Sequence, residues 1–246
     1  MIRLSAVIPC FNESDNIPFL RERLTNLPLF RKGDMELILV DDGSSDNTWN
    51  NLLDWAHHSR QTVAIKLHGN HGNQRAILSG LSVASGNFIG ILDADLQDPP
   101  ELLESMLEIL ENTRCCCVIG LKTRRQDRSA VLGLIKDLAS SILPFRRGEG
   151  DFCILDKNAA RESLVQGGAQ TPFRVRRRRA LRGRPIQYLS YERAFRVSGD
   201  TKFTIASLTS LWWRIFKSSY GEFHSKREFF LPPIDAIIRT NLKDNT

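Results

Sequence analysis

The chain has 246 residues and a formal net charge of +6, from 34 Lys plus Arg against 28 Asp plus Glu. That charge is unevenly spread: residues 1–100 hold eight basic and twelve acidic side chains, and residues 101–246 hold 26 and 16. With 41% hydrophobic and 25% charged residues, the composition excludes a disordered, collagen-like or disulfide-scaffold chain, and the length suits one core of roughly 200 residues plus an appendage, or at most two small domains.

In chain order, Met1-Ile2-Arg3 leads straight into a strand-like segment, without the charged and then apolar leader of a secreted protein. Residues 4–9, 36–41, 62–67, 88–93 and 115–121 read as strands. Residues 16–26, 46–57, 72–84 and 99–111 read as helices. The alternation predicts an α/β fold, a mainly parallel sheet covered by helices. The last helix carries a strong start signal, with Asp98 as N-cap, Pro99 in the first turn and Glu101 closing a capping box. Residues 152–155 and 186–189 are weaker strand candidates. Five cysteines, three of them consecutive at Cys115–Cys117, form no C-x-x-C pair. They read as small buried thiols in a reducing cytosol rather than as a zinc or disulfide framework. No run of 18 apolar residues occurs, so the expected location is cytoplasmic, with any membrane role peripheral on the cytoplasmic face.

Ligands of open α/β sheets bind beyond the carboxyl ends of the strands. The loops there are Pro9-Cys10-Phe11-Asn12-Glu13, Asp41-Asp42-Gly43-Ser44-Ser45-Asp46, Asn70-His71-Gly72-Asn73-Gln74 and Asp93-Ala94-Asp95-Leu96-Gln97-Asp98. Asp93 and Asp95 cap an apolar strand at a spacing that turns both carboxylates to one side, where they can share a divalent ion; the alternative is a solvated loop. Mg²⁺ and Mn²⁺ suit such a pair, because they complete their shell with water and phosphate oxygens. One of Asp41 and Asp42 could accept hydrogen bonds from a nucleobase or ribose, the alternative being a cap cluster for the next helix, a job that Asp46 already suits.

These four segments in this order, followed by Gly150-Asp151-Phe152-Cys153-Ile154-Leu155-Asp156 and Arg196-Val197-Ser198-Gly199-Asp200-Thr201-Lys202-Phe203, resemble the family 2 glycosyltransferases of GT-A fold. Among these the chain looks most like the branch that transfers hexoses to polyprenyl phosphates. The resemblance covers residues 4–204. It implies a GT-A domain over residues 1–204, Rossmann-like; residues 205–246 are expected as a short C-terminal helical tail, and without a run of 18 apolar residues no transmembrane span is expected there. It further implies that Pro9, Phe11, Glu13 and Asp41 hold the base and ribose of a UDP- or GDP-sugar. Asp42, Asn70, Gln74 and Ala94 are counted with that donor site. Asp93 would lie near ribose and metal, Asp95 would bind Mg²⁺ or Mn²⁺, Gln97 would lie where donor sugar and acceptor meet, and Arg196 and Lys202 would face the diphosphate and the acceptor phosphate. Gly69 stands where the family usually has Arg.

The implied reaction is an inverting transfer to a polyprenyl phosphate. A phosphate acceptor is already anionic and needs no strong base. A hydroxyl of a polysaccharide, protein or small molecule would need one, and Asp151 is the first candidate, unless it is a turn Asp. A third reading is a non-catalytic sugar-nucleotide-binding or membrane-scaffold protein. The run from Arg174 to Arg184 contains seven Arg and reads as a solvated helix face or loop, or as a contact for anionic lipid. Without interleaved aromatics, no nucleic acid partner is expected. Ile205, Leu208, Leu211, Trp212, Ile215 and Phe216 have helical spacing, as a core-packing or an interfacial helix.

Overall fold

The protein is described from a computed structural model, which covers residues 2–123, 146, 148–167, 171–193 and 231–240. Four strands, β1 (Leu4–Cys10), β2 (Met35–Asp41), β3 (Thr62–Leu67) and β4 (Phe88–Ile91), pair in parallel. They are joined through helices α1 (Ile17–Thr25), α2 (Pro28–Arg31), α3 (Thr48–His57) and α4 (Asn73–Val83). β1 and β2 are buried at every position, which is why both are mostly apolar, since helices cover both faces of a parallel sheet; the buried Ser5 and Glu36 are paired, Ser5 Oγ donating to Glu36 Oε1 (2.6 Å). Successive side chains go to opposite faces. Leu4, Ala6 and Ile8 join the core under α1, α2, α3 and α5 (Leu102–Asn112), with Trp55 and Met106. Val7, Ile38 and Val40 join the core under α4, α6 (Lys157–Val165) and α7 (Phe173–Ala180). Gly80 lets α4 lie against β1, since a Cβ there would come 2.3 Å from Val7 Cγ1.

The sheet is completed by β5 (Cys117–Thr123), β6 (Glu149–Asp156), β7 (Ile186–Glu192) and β8 (Ile234–Arg239). The order across the sheet is β7-β5-β6-β4-β1-β2-β3-β8. β6 runs antiparallel between β4 and β5, and β7 lies parallel to β5. The carboxyl ends of β1 to β5 and β7 therefore share one end of the sheet with the start of β6. All five cysteines are buried. Among the described residues, no helix is long and apolar enough to cross a membrane.

Three local readings are corrected. β4 ends at Ile91, not Asp93; Leu92 N–H still donates to Val7 O (3.1 Å), and Asp93 has left the ladder for the loop. The capping box does not form. α5 begins at Leu102 after a tight turn in which Leu102 and Leu103 N–H donate to Pro99 and Pro100 carbonyls, while Asp98 and Glu101 have partners elsewhere. Residues 234–239 form an edge strand antiparallel to β3 inside the stretch expected to be a helical tail. Ile205 to Phe216 lie outside the described residues.

Candidate active site

At the carboxyl end of β1, Pro9 is buried and Phe11 half-buried. Asn12 takes a left-handed conformation (φ 51°) and fastens the first loop to the second. Its N–H donates to Ser44 Oγ (3.0 Å), and its Oδ1 accepts from Ser45 N–H (2.8 Å). Glu13 N–H donates to Thr48 Oγ1 (2.8 Å) and its carboxylate accepts from Asn16 Nδ2 (2.5 Å).

The two carboxylates at the end of β2, Asp41 and Asp42, are both fully or almost fully buried and do different work. Asp42 spends both oxygens on the third loop, accepting from His71 N–H (2.8 Å) and Gly72 N–H (2.7 Å). Asp41 accepts from Ser44 N–H through Oδ1 (3.2 Å), and its Oδ2 is buried with no hydrogen-bond partner among the described residues. Burial pushes both acids up, against the hydrogen bonds they accept. Asp41 is thus the member of the pair with an acceptor to offer a ligand, and Asp42 positions Asn70 and its neighbours. Gly43 (φ 70°) completes the packing: a Cβ there would meet the Gly69 carbonyl carbon at 2.4 Å. Asn70 itself is exposed.

After β4 the chain makes an acidic turn. Asp95 Oδ1 accepts from Gln97 N–H (3.2 Å), and the intervening Leu96 is left-handed (φ 59°) and buried. A left-handed Leu costs about 1 kcal/mol or more, the kind of strain that collects at ligand sites. Ala94 is buried beneath the turn, and Asp93 and Gln97 are half-buried. Burial, then the charge of Asp98, pushes Asp93 up to about 7; Lys122 opposes this, and Asp95 and Asp151 add to it. Asp98 is wholly buried. It accepts a short hydrogen bond from Tyr191 Oη (2.5 Å) and pairs with Lys122 Nζ (3.3 Å), and its Oδ2 has no hydrogen-bond partner among the described residues. Arg193, just past β7, stands 3.8 Å from both Asp95 and Asp98.

Asp151 enters from β6, but not as a ready base. Arg174 grips it with Nε to Oδ1 and Nη2 to Oδ2, both 3.1 Å, and Gln74 Nε2 donates to Oδ2 (2.6 Å). Gln74 Oε1 in turn accepts from Arg174 N–H (3.0 Å). Burial would raise Asp151, but the Arg174 charge and hydrogen bonds, with Arg177 and Gln74, hold it below the usual carboxylate range. A carboxylate so held gives up its proton early and accepts one poorly.

The Arg run is likewise not a solvated face. Arg176 and Arg177 are 1% exposed. Arg177 pairs with Glu149 (2.7 Å, both side chains 1% exposed) and reaches Gly150 O (3.1 Å) and Cys153 Sγ (3.3 Å). Arg176 donates to Thr171 O (2.8 Å) and Leu164 O (2.6 Å). Burial, with the charges of Arg179 and Arg75, lowers Arg176 to about 10.

The fold thus gathers Pro9, Phe11, Glu13, Asp41, Asp42, Asn70, Gln74, Asp93, Ala94, Asp95, Gln97 and Asp151 at one end of the sheet, on its loops and on the adjoining ends of β1, β2, β6 and α4. Arg196 and Lys202 lie outside the described residues. Sequence reasoning passed over Lys122, Tyr191 and Arg193, and placed Arg174 only in the Arg run. The available signal was position, since Lys122 and Arg193 close strand-like segments as Asp93 does.

Among the described residues no three His, Cys, Asp or Glu side chains converge as a ready-made metal site. Asp93 and Asp95 form a two-carboxylate arrangement near Asp98, with Asp93 raised first by burial and then by the Asp98 charge, and a cation would favour the ionised form. That suits a divalent ion drawing its other ligands from water and phosphate.

A family model described as Glycosyl transferase family 2 matches residues 5–183. An undecaprenyl-phosphate 4-deoxy-4-formamido-L-arabinose transferase of Serratia proteamaculans is 31% identical over 226 residues, covering 86% of this chain and 66% of that protein. The chain spans just under two thirds of the length of the curated relatives it matches, 64% and 66%. Among solved structures, mannosyl-3-phosphoglycerate synthase from Rubrobacter xylanophilus superposes with a TM-score of 0.67 at 18% identity, over 94% of this chain and 79% of that one. Glucosyl-3-phosphoglycerate synthase from Mycobacterium tuberculosis, solved with Mn²⁺, UDP-glucose and phosphoglyceric acid, gives 0.63 at 17% identity, over 88% and 78%. At such identities the likeness establishes the fold, which is GT-A.

Proposed function

The chain belongs to glycosyl transferase family 2, and on that premise we propose that it moves a hexose, with inversion, from a UDP- or GDP-sugar to a polyprenyl phosphate, using Mg²⁺ or Mn²⁺. The observation that carries this reading is the acidic turn after β4, where Asp93, Asp95 and Asp98 lie around a buried, left-handed Leu96 and Asp93 is pushed up to about 7, first by burial and then by the charge of Asp98. The name of the Serratia relative, an undecaprenyl-phosphate sugar transferase, supports the acceptor. The Mn²⁺ and UDP-glucose in the Mycobacterium structure support the donor and the ion.

In this reading Asp95 and Asp93 hold the ion, which supplies positive charge to the diphosphate as it leaves. Pro9, Phe11 and Glu13 line the base and ribose pocket, and Asp41 accepts from the nucleoside through its open oxygen. Asp42 and Gln74 act one step removed, by fixing the third loop and Asp151, so that Asn70 and Ala94 border the donor. Gln97, whose N–H is tied to Asp95, stands between sugar and acceptor. Arg196 and Lys202 contribute cationic groups that neutralise phosphate. No group need remove a proton from the acceptor, because a phosphate oxygen is already anionic at pH 7. That agrees with an Asp151 locked by Arg174, and it disfavours a hydroxyl acceptor served by Asp151. Action on a lipid phosphate carries with it a peripheral association with the cytoplasmic face of a membrane.

The test is incubation of the pure protein with UDP- and GDP-sugars and Mn²⁺, with and without polyprenyl phosphate. Nucleoside diphosphate release and extraction of labelled sugar into organic solvent are measured. Lipid-dependent release, abolished by chelator and by Asp95→Ala, is expected. Release that ignores the lipid, or the chelator, sinks the acceptor or the metal assignment respectively. Donor binding with no turnover on any acceptor would favour the non-catalytic reading.

A further inference from the structure

We propose that Arg193 is the built-in counter-ion of the acidic turn: it shares Asp95 and Asp98 in the metal-free protein, yields Asp95 to the divalent ion, and turns its guanidinium to the donor diphosphate that arrives with that ion. This deepens the donor reading above and rests on it.

The fold supplies Arg193 to this place with little freedom. β7 runs parallel to β5, with Thr123 opposite Glu192, so the next residue, Arg193, emerges at the same end of the sheet as Asp93 to Asp98. Two positions earlier Tyr191 is anchored three ways. Its hydroxyl donates to Asp98 (2.5 Å), its carbonyl accepts from Thr123 Oγ1 (2.9 Å), and its ring meets Phe152 edge-on at 5.4 Å. Gly120 makes room for that pair, since a Cβ there would lie 2.5 Å from Phe152 and 2.9 Å from Tyr191. The backbone leading to Arg193 is thus fixed to Asp98 itself.

The distances are those of charge balance rather than of a finished contact. At 3.8 Å from Asp95 Oδ2 and 3.8 Å from Asp98 Oδ1, the guanidinium is within ion-pair range but too far to hydrogen-bond. Its Nε is buried with no hydrogen-bond partner among the described residues, as is Asp98 Oδ2. A buried donor and a buried acceptor left open beside each other mark an arrangement completed by something else. An anion with several oxygens beside a cation fits: the cation takes the carboxylates and the oxygens take the Nε–H. A planar guanidinium offers five donors in a fork that matches phosphate, whereas an ammonium does not. Among the described residues, the cations nearby have their own carboxylates, Lys122 pairing with Asp98 (3.3 Å) and Arg174 with Asp151. Arg193 lies within ion-pair range of both Asp95 and Asp98, and its side chain, about one-third exposed, has room to move.

A resident counter-ion and an incoming ion compete for Asp95, so the proposal has opposite consequences for two ligands. Mn²⁺ alone is titrated into wild type, Arg193→Gln and Arg193→Lys, read by the loss of free-ion magnetic resonance signal. UDP and GDP are then titrated by calorimetry at saturating Mn²⁺. Arg193→Gln is expected to bind Mn²⁺ alone about five- to tenfold more tightly and the nucleoside diphosphate about tenfold more weakly. Arg193→Lys keeps wild-type Mn²⁺ affinity and still loses diphosphate affinity, because it retains charge but not the fork. Unchanged or weaker Mn²⁺ binding by Arg193→Gln, or diphosphate affinity unchanged in both variants, overturns the inference. If wild type binds no Mn²⁺, or Asp95→Asn binds it as well as wild type, the metal assignment itself falls and this inference with it. Melting temperatures of the three proteins within a few degrees of one another exclude misfolding as the cause.

Discussion

Arg174 holds Asp151 in a two-pronged grip, Nε to Oδ1 and Nη2 to Oδ2, each 3.1 Å. The pair joins α7 to β6, and Gln74 ties both to α4 by donating to the carboxylate and accepting from the Arg174 backbone. An acid in this setting serves to position loops. Asp151→Asn, which keeps the shape, is expected to lose less than about tenfold in kcat, whereas removal of a general base costs about 10²- to 10⁴-fold. Asp151→Ala strands the guanidinium and is expected to cost about 2 kcal/mol, a fall of roughly 5 °C in Tm. Steady-state rates with a lipid-phosphate acceptor and a thermal melt check the two halves, and a 10³-fold loss of kcat in Asp151→Asn would restore the base.

Asp41 and Asp42 are neighbours with separable effects. Asp42→Ala leaves the N–H groups of His71 and Gly72 without their acceptors, so it is expected to destabilise the protein by about 2 kcal/mol as well as to loosen the donor loop. Asp41→Ala removes a carboxylate whose Oδ2 has no hydrogen-bond partner among the described residues. It is expected to weaken nucleoside diphosphate binding about tenfold while the Tm moves less than it does in Asp42→Ala. Calorimetric titration of UDP and GDP beside melts of both variants tests this. The reverse ranking would reassign the pair.

Arg177 and Glu149 form an ion pair with both side chains 1% exposed. Removing one partner leaves a buried charge, so Arg177→Met is expected to cost about 3–5 kcal/mol, roughly 10 °C in Tm. Arg177→Met with Glu149→Met is expected to recover much of the loss, since an apolar pair of similar volume is often tolerated. Arg182→Gln, at an exposed position of the same run, is expected to change stability by less than about 0.5 kcal/mol. A chemical denaturation series of the four proteins decides, and equal effects of Arg177→Met and Arg182→Gln would mean that the buried pair carries no stability.

The strands β1 to β4 were legible because a strand buried on both faces is mostly apolar, and the acidic loops because they end such strands. What escaped was settled by partners distant in sequence. Asp98, Pro99 and Glu101 satisfy the local rule for a helix start, yet Tyr191, 93 residues away, and Lys122 claim Asp98, and Arg23 claims Glu101. Lys122 and Arg23 bring a full positive charge that a backbone N–H does not. From the sequence the Arg run reads as a solvated face or a lipid contact because nothing within the run pairs it. Glu149, Asp151 and the carbonyls of Thr171 and Leu164 do, and Phe173, Val175 and Ala180 among the arginines were the sign of a buried helix. The alternation in Ile234–Arg239, half-buried against exposed, was readable as an edge strand but was absorbed into the expectation of a helical tail.

Asp93 gives the site its pH dependence. Its carboxyl is raised to about 7 in the folded protein, first by burial and then by Asp98, against about 3.9 in an unfolded chain. The folded state therefore holds this proton more tightly. The stability Asp93 contributes is fully present below about pH 4 and is lost as pH rises through about 7. Other carboxylates move the opposite way: Asp46, Glu101 and Asp151 are lowered, so the effect is isolated by comparison with Asp93→Asn. Without metal, the Tm of wild type relative to Asp93→Asn is expected to fall between pH 5 and pH 8. With Mn²⁺ the sign reverses, because the ion needs the ionised carboxylate and rewards its deprotonation. Mn²⁺ affinity should then strengthen as pH rises from about 6 to 8, with proton release on binding, seen as a dependence of the calorimetric heat on the ionisation enthalpy of the buffer. Melts in EDTA and in MnCl₂ across that range test both signs. A metal-free Tm difference that does not change with pH would place Asp93 among ordinary exposed acids.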